Sequence, residues 1–219
     1  MPKLVGMLRL LETRTGQVVG VRPGPLRLYV FQPDDLRVCL TADMLRRVGL
    51  RLRRRVLTTA AHTADHGWLG IPPMEAGDPL PGAVGVGNLT SGASVGVAAW
   101  SSPQTAGTEP AALRLALLRR RYREEAHLGP EAVSAAAADL ARWRDRVAAW
   151  ATGPSRPIHA PYAEETLAAL CDDLDVPRAL EVLDGLMDDE DVAPGARLET
   201  VLQLDQILAL ELPAAIGTR

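Results

Sequence analysis

Leu26-Arg27-Leu28-Tyr29-Val30-Phe31, followed by Thr41-Ala42-Asp43-Met44-Leu45-Arg46-Arg47-Val48-Gly49 and then Val56-Leu57-Thr58-Thr59, is the stretch whose reading decides the fold. The first segment mixes apolar, aromatic and β-branched residues and stops at Pro33, which predicts a buried strand. Thr41 is a candidate cap for a helix over residues 42–48, with Gly49 as its stop. Residues 51–59 alternate and end in β-branched side chains, a second strand. Strand, helix and strand at this spacing form an α/β unit with parallel strands.

Upstream, Met7–Leu11 and Gln17–Val21 flank Thr13-Arg14-Thr15-Gly16, the pattern of two strands around a turn. Downstream, residues 60–108 hold Pro72-Pro73 and the run Gly82-Ala83-Val84-Gly85-Val86-Gly87 and show no sustained period, so no element can be placed in them. From Thr108-Glu109-Pro110 the pattern turns helical, with leucines at 113, 115, 117 and 118. A second helix is expected from Glu131 to about residue 152, with Val133, Ala137, Leu140, Trp143, Val147 and Trp150 on one face. Three more are expected near residues 162–173, 176–187 and 197–212. The expected architecture is an α/β unit over residues 1–59, a Gly/Pro-rich connection over 60–107 and a helical bundle over 108–219.

Composition narrows the function. With 219 residues, 47% hydrophobic and 23% charged, the chain is neither disordered nor fibrous. No apolar run approaches the roughly 18–20 residues of a membrane span, and the N-terminus lacks a signal-peptide pattern, so a cytoplasmic protein is expected. Of 24 basic residues one is lysine, Lys3, and the others are arginine. That leaves no Gly-Lys-Ser/Thr phosphate loop and, outside the terminus, no Schiff-base lysine. Cys39 and Cys171 are too few for a disulfide framework and too far apart in sequence for a metal knuckle.

Charge is strongly polarised: residues 1–58 carry a net +8, residues 59–158 are neutral, and residues 159–219 carry −11. Arg46, Arg47, Arg51, Arg53, Arg54 and Arg55, with Arg119, Arg120, Arg121 and Arg123, are the candidate partner-binding residues. Either they meet phosphates or they meet the acidic terminal helices or a second copy of the chain; the acidic C-terminal third disfavours RNA. His62, Asp65 and His66 are a weak metal candidate, sharing a face only if helical. Asp188-Asp189-Glu190-Asp191 lacks the turn glycine of a calcium loop and reads as an exposed helix end. Trp143 and Trp150 read as helix core, Cys39 as a structural thiol, and His127 and His159 as surface residues.

Several pieces, in order, carry a resemblance. Leu8-Arg9-Leu10, Thr13–Gln17, Arg22–Pro25 and Leu28-Tyr29-Val30, then Thr41–Arg47, then Gly87-Asn88-Leu89, then Glu109–Leu118 with Tyr122-Arg123, then Leu140–Arg144, then Asp172–Leu180, together resemble cysteinyl-tRNA synthetases and, more closely, the mycothiol ligases that join cysteine to glucosaminyl-inositol. The likeness covers about residues 1–59 and 108–212. It implies a Rossmann-like nucleotide-binding remnant followed by the helical terminal domain, in an actinobacterial biosynthetic setting. It also implies a zinc whose first ligand is a cysteine directly after the Tyr-Val strand, a His-x-Gly-His motif on the ATP phosphates, and a lysine-bearing second signature. Here the cysteine position is Phe31, no histidine lies between Phe31 and Asp43, and no lysine follows Lys3. The expectation is therefore no catalytic residue, no cofactor and no resident metal. The expected protein is a degenerate relative acting as a binding, scaffolding or regulatory partner of a protein or of itself; a repurposed cysteine- or aminoacyl-dependent transferase and a tRNA-binding module are the alternatives.

Overall fold

The computed structural model describes residues 7–102 and 107–218. Strands β1 (Arg9–Glu12) and β2 (Gln17–Gly20) form an antiparallel hairpin with Arg9 opposite Gly20. Strand β3 (Leu26–Val30) leads into helix α1 (Leu36–Arg51), which returns the chain to β4 (Val56–Ala60), parallel to β3. The strand–helix–strand unit expected from residues 26–59 is therefore present, and its helix is twice as long as the pattern suggested. Asp35, not Thr41, caps it, accepting from the backbone N–H of Arg37 and Val38. Thr41 is interior, and its hydroxyl donates back to the Arg37 carbonyl at 2.8 Å.

Gly49 does not stop α1 either. A Cβ there would lie 2.7 Å from Leu26 Cδ2 and 3.0 Å from Val56 Cγ2, so the glycine lets the helix sit close on the sheet. Gly49→Ala is expected to destabilise the protein by about 1–3 kcal/mol through overpacking, despite the better helix propensity of alanine. Urea denaturation of the variant checks this; an unchanged or raised stability would show that the helix–sheet contact yields freely.

The region 60–108, expected to lack placeable elements, supplies half of the central sheet. It holds β5 (Ala64–His66), β6 (Ile71–Met74), β7 (Val84–Asn88), β8 (Val95–Val97) and β9 (Trp100–Ser101). The four-stranded sheet runs β4-β3-β7-β8, all parallel, with Val30 opposite both Ala60 and Val86, and Val86 opposite Val95. Leu26, Leu28, Val30, Val86, Val95 and Val97 are buried in the core, and α1 packs on the sheet. Tyr29 and Phe31 point the other way and meet edge to face at 4.9 Å.

Five helices follow: α2 (Pro110–Leu118), α3 (Pro130–Trp150), α4 (Ala160–Cys171), α5 (Val176–Asp188) and α6 (Pro194–Leu208). The short strand β10 (Ala126–His127), not expected, pairs with β9. Helix α2 packs on α3, α4 on α5 and α6, and α1 on α6. Helix α1 thus stands between the sheet and the later helices, and buried residues from Leu8 to Leu212 form one continuous cluster. Among the described residues, no helix is long and apolar enough to cross a membrane.

Candidate functional site

In an open parallel sheet, ligands bind beyond the carboxyl ends of the strands, and the helix N-terminus that follows the first strand is a ready anion site. Here that edge is built by the residues after β3. The Phe31 ring covers β7, with its Cε2 2.7 Å from where a Gly85 Cβ would stand, and its Cβ 3.0 Å from that of Gly87. Gln32 follows, and its Oε1 accepts the Asn88 backbone N–H at 2.9 Å. Ser91 Oγ donates to the Asn88 carbonyl at 2.6 Å. The free ends of β3 and β7 are thus covered and hydrogen-bonded by the chain itself.

The N-terminus of α1 is filled in the same manner. Asp35 lays its carboxylate on the first backbone amides, where a bound anion would otherwise sit, at 2.9 Å from Arg37 N and 3.2 Å from Val38 N. Asp34 stands beside it and pairs with His62 Nε2 at 3.1 Å. His66 Nε2 is 2.7 Å from the Pro33 carbonyl. Both histidines therefore brace the turn between β3 and α1. The helical spacing considered for His62 and His66 does not form, because Ala64–His66 is a strand. Among the described residues, no three His, Cys, Asp or Glu side chains are grouped to hold a metal ion. Cys39 is buried, its Sγ 3.1 Å from the Pro33 carbonyl, and burial first, then Asp35 and Asp34, push its thiol up to about 12. It is a poor nucleophile at neutral pH.

The arginines separate into three groups. Arg46 and Arg47 belong to a buried network centred on Asp43. Its carboxylate accepts from Arg46 Nη2, Arg47 Nε and Arg114 Nη2, each at 2.8 Å. Arg114, fully buried, also donates to the carbonyls of Leu208 at 2.7 Å and Leu69 at 3.2 Å, and Arg47 reaches those of Gln206 and Gly70. Burial alone would raise the Asp43 pKa, but the Arg114 and Arg47 guanidiniums outweigh it and hold the carboxyl below its ordinary range. This knot joins α1, α2, α6 and the loop before β6. Nothing in sequence spacing pairs residues 43 and 114, though a lone arginine in the apolar helix Pro110–Leu118 is a visible signal.

The second group faces the acidic C-terminal residues and helix α3: Arg119 pairs with Asp139, Arg121 with Asp175, and Arg123 with Asp173 at 2.8 Å. Asp173 also takes the Tyr122 hydroxyl and the Leu11 backbone N–H, tying the hairpin to the helices. The third group is different. Arg51, Arg53, Arg55 and Arg120 make no ion pair among the described residues, and Arg54 donates only to the neutral carbonyls of Gly24 and Arg22. The remaining features noted in sequence are structural. Trp143 is buried, donating to Asp184 at 2.9 Å; Arg197 lies 4.7 Å over Trp150; Asp188 pairs with Arg146, and Asp189 takes the Tyr162 hydroxyl. His127 touches Ser101 Oγ at 2.9 Å on an exposed edge, and His159 rests against Tyr162.

No family model matches the chain. Individual relatives do. The chain is 37% identical over 103 residues to an L-cysteine:1D-myo-inositol 2-amino-2-deoxy-alpha-D-glucopyranoside ligase of Cellulomonas flavigena, a match covering 43% of this chain and 24% of the relative. The ligase of the same name from Streptomyces griseus is 44% identical over 78 residues, or 36% of this chain and 18% of the relative. That of Parafrankia sp. is 36% identical over 118 residues, or 48% of this chain and 25% of the relative. The match thus spans about a quarter of those relatives or less, and the likeness to mycothiol ligases carried by the sequence motifs is a partial homology to them.

Proposed function

We propose that this chain is a catalytically degenerate relative of the mycothiol and cysteinyl ligases, built on a Rossmann-like remnant with a helical bundle, that acts as a binding or scaffolding partner and not as a ligase. The observation that carries this reading is the Asp35 carboxylate seated on the first amides of α1. A nucleotide phosphate at that place would have to displace it and would meet Asp34 as well, like charges at close range. Phe31 extends the argument to the zinc that the resemblance implies. A phenyl ring offers no ligand atom, and the ring is packed over Gly85 and Gly87. Neither zinc nor the ATP phosphates fit the residues present at these places.

The partner on this reading is a protein with an acidic surface or a second copy of the chain, engaged by Arg51, Arg53 and Arg55, which pair with no carboxylate among the described residues. The acidic residues of the C-terminal third that pair with Arg121, Arg123 and Arg146 are taken internally. The decisive experiment is cysteine-dependent ATP–pyrophosphate exchange with the purified protein. Exchange at the level of a no-enzyme blank is expected, since losing preorganised phosphate contacts costs orders of magnitude in rate. Exchange clearly above the blank would overturn the proposal in favour of a repurposed ligase.

A further inference from the structure

A cleft lies at the opposite edge of the sheet from the site just considered. It is bounded by the amino ends of β3, β7 and β8, by Arg54 before β4, and by the β1–β2 hairpin, and its volume is about 620 Å³. That is the size of a small-molecule site. Its walls are polar and apolar in nearly equal measure, the apolar part coming from Leu10, Val21, Leu26, Val84 and Val95 among others, and none of its lining residues is aromatic.

Three arginines, Arg22, Arg27 and Arg54, line it against a single acidic residue, Glu12. The guanidiniums of Arg27 and Arg54 are held in place without meeting a carboxylate among the described residues. Arg54 Nε donates to the Gly24 carbonyl at 2.7 Å and its Nη2 to the Arg22 carbonyl at 2.6 Å, while Arg27 Nη1 donates to the Pro81 carbonyl at 3.3 Å. A guanidinium has five N–H donors, so both side chains keep unused ones. Glu12 is already engaged by Thr15 Oγ1 at 2.8 Å and by Arg14 at 3.8 Å. Elsewhere in this chain, clustered arginines such as Arg119, Arg121 and Arg123 meet carboxylates; at this edge they meet only carbonyls.

We infer that this cleft binds the phosphate group of a small phosphate monoester with a non-aromatic body. The lining charge sets the class: three guanidiniums against one carboxylate match a phosphate monoester, about −2 at neutral pH, better than a lone carboxylate. Pre-positioned guanidiniums favour planar, bidentate contact with phosphate oxygens. The apolar part of the walls takes the remainder of the ligand, and the cleft offers a nucleobase no aromatic side chain to stack on. The inference does not rest on the loss of ligase chemistry, because the cleft shares no residue with the carboxyl edge of the sheet.

The test is isothermal titration of the full chain with glycerol 3-phosphate, inorganic phosphate and AMP at constant ionic strength, with sodium chloride as the reference. Saturable binding of glycerol 3-phosphate and phosphate is expected, with AMP binding no more tightly. Arg27→Gln should weaken it at least about tenfold, since each good charged contact is worth that much, while its circular dichroism spectrum stays that of the parent. Arg54→Lys, which keeps the charge and loses the fork, should weaken it too and guards against a folding defect in one variant. No saturation beyond chloride, or binding that both variants retain, would overturn the site. Binding of a single-stranded RNA that phosphate and glycerol 3-phosphate do not compete away would overturn it in favour of a backbone-tracking surface.

Discussion

Asp43→Asn should destabilise the folded protein by about 3–5 kcal/mol, the usual cost of leaving a buried charge without its partner. Arg114 is fully buried, and among the described residues Asp43 is the carboxylate it pairs with directly, Asp205 adding a weaker attraction. After the substitution the guanidinium keeps the Leu208 and Leu69 carbonyls, which accept hydrogen bonds but do not balance its charge. Arg46 and Arg47 also lose their acceptor, but their side chains are 24% and 17% exposed and can turn to water. The pH dependence gives the sign independently. The Asp43 carboxyl titrates below its ordinary range in the fold, so its stabilisation is complete above the unfolded pKa of about 4 and is lost as pH falls through the lower folded value. Wild type and Asp43→Asn should therefore differ most at neutral pH and converge in acid. Asp205, at the edge of the same network, works in the opposite sense: burial raises its pKa, so its contribution improves as pH falls. A loss under about 1 kcal/mol at pH 7 in urea denaturation would show that water reaches Arg114. The double variant Asp43→Leu, Arg114→Met removes both charges at once and should recover much of the loss.

That network marks where sequence reading stopped. The β1–β2 hairpin, the β3–α1–β4 unit and the five later helices were legible because their periodicity and punctuation are local. The carboxyl-side half of the sheet was not. Val84-Gly85-Val86-Gly87 looks like linker because glycine usually signals a turn or flexible chain. In the fold Val86 enters the core, while Gly85 and Gly87 stay bare so that Phe31 can lie on them. Glycine there records a close approach from a residue more than fifty positions away, which no local pattern carries. Thr41 failed as a cap for a related reason: Asp35, six residues earlier, offers the stronger capping group, and nothing between them breaks the helix. The arginines looked equivalent by density. Their separation into ion-paired residues on the helices and unneutralised residues at the amino edge of the sheet is a product of topology, which sets Asp139, Asp173 and Asp175 against the first group alone. At the candidate site, Phe31 was legible as an apolar residue on a strand end, and Asp35, which decides what the helix terminus can hold, was not singled out.

Truncation in the later helices should cost as much as truncation in the sheet, because the two share one core. Leu167, Leu170, Leu174, Leu180, Leu183, Leu198, Leu202 and Leu208 recur at helical spacing, a pattern that predicts one common face. Of these, Leu167 and Leu202 are partly buried against the core, and the other six are buried within it. Leu183 on α5 and Leu28 on β3 are both wholly inaccessible. Leu183→Ala and Leu28→Ala are each expected to lose about 2–5 kcal/mol, the transfer of the side chain plus the cavity it leaves. Leu202→Ala, at a partly solvated position, should lose less. The shape of the unfolding curve tests the shared core more sharply than its midpoint. A continuous cluster from Leu8 to Leu212 with α1 at its centre should melt in one transition, followed alike by far-ultraviolet dichroism and by tryptophan fluorescence, which reports Trp143 and Trp150 on α3 once Trp68 and Trp100 are replaced by phenylalanine. Leu28→Ala in that background should then move the tryptophan signal, although Leu28 lies on β3 and both remaining tryptophans lie on α3. If it moved dichroism alone and left the fluorescence midpoint in place, the sheet and the helices would be unfolding as separate units.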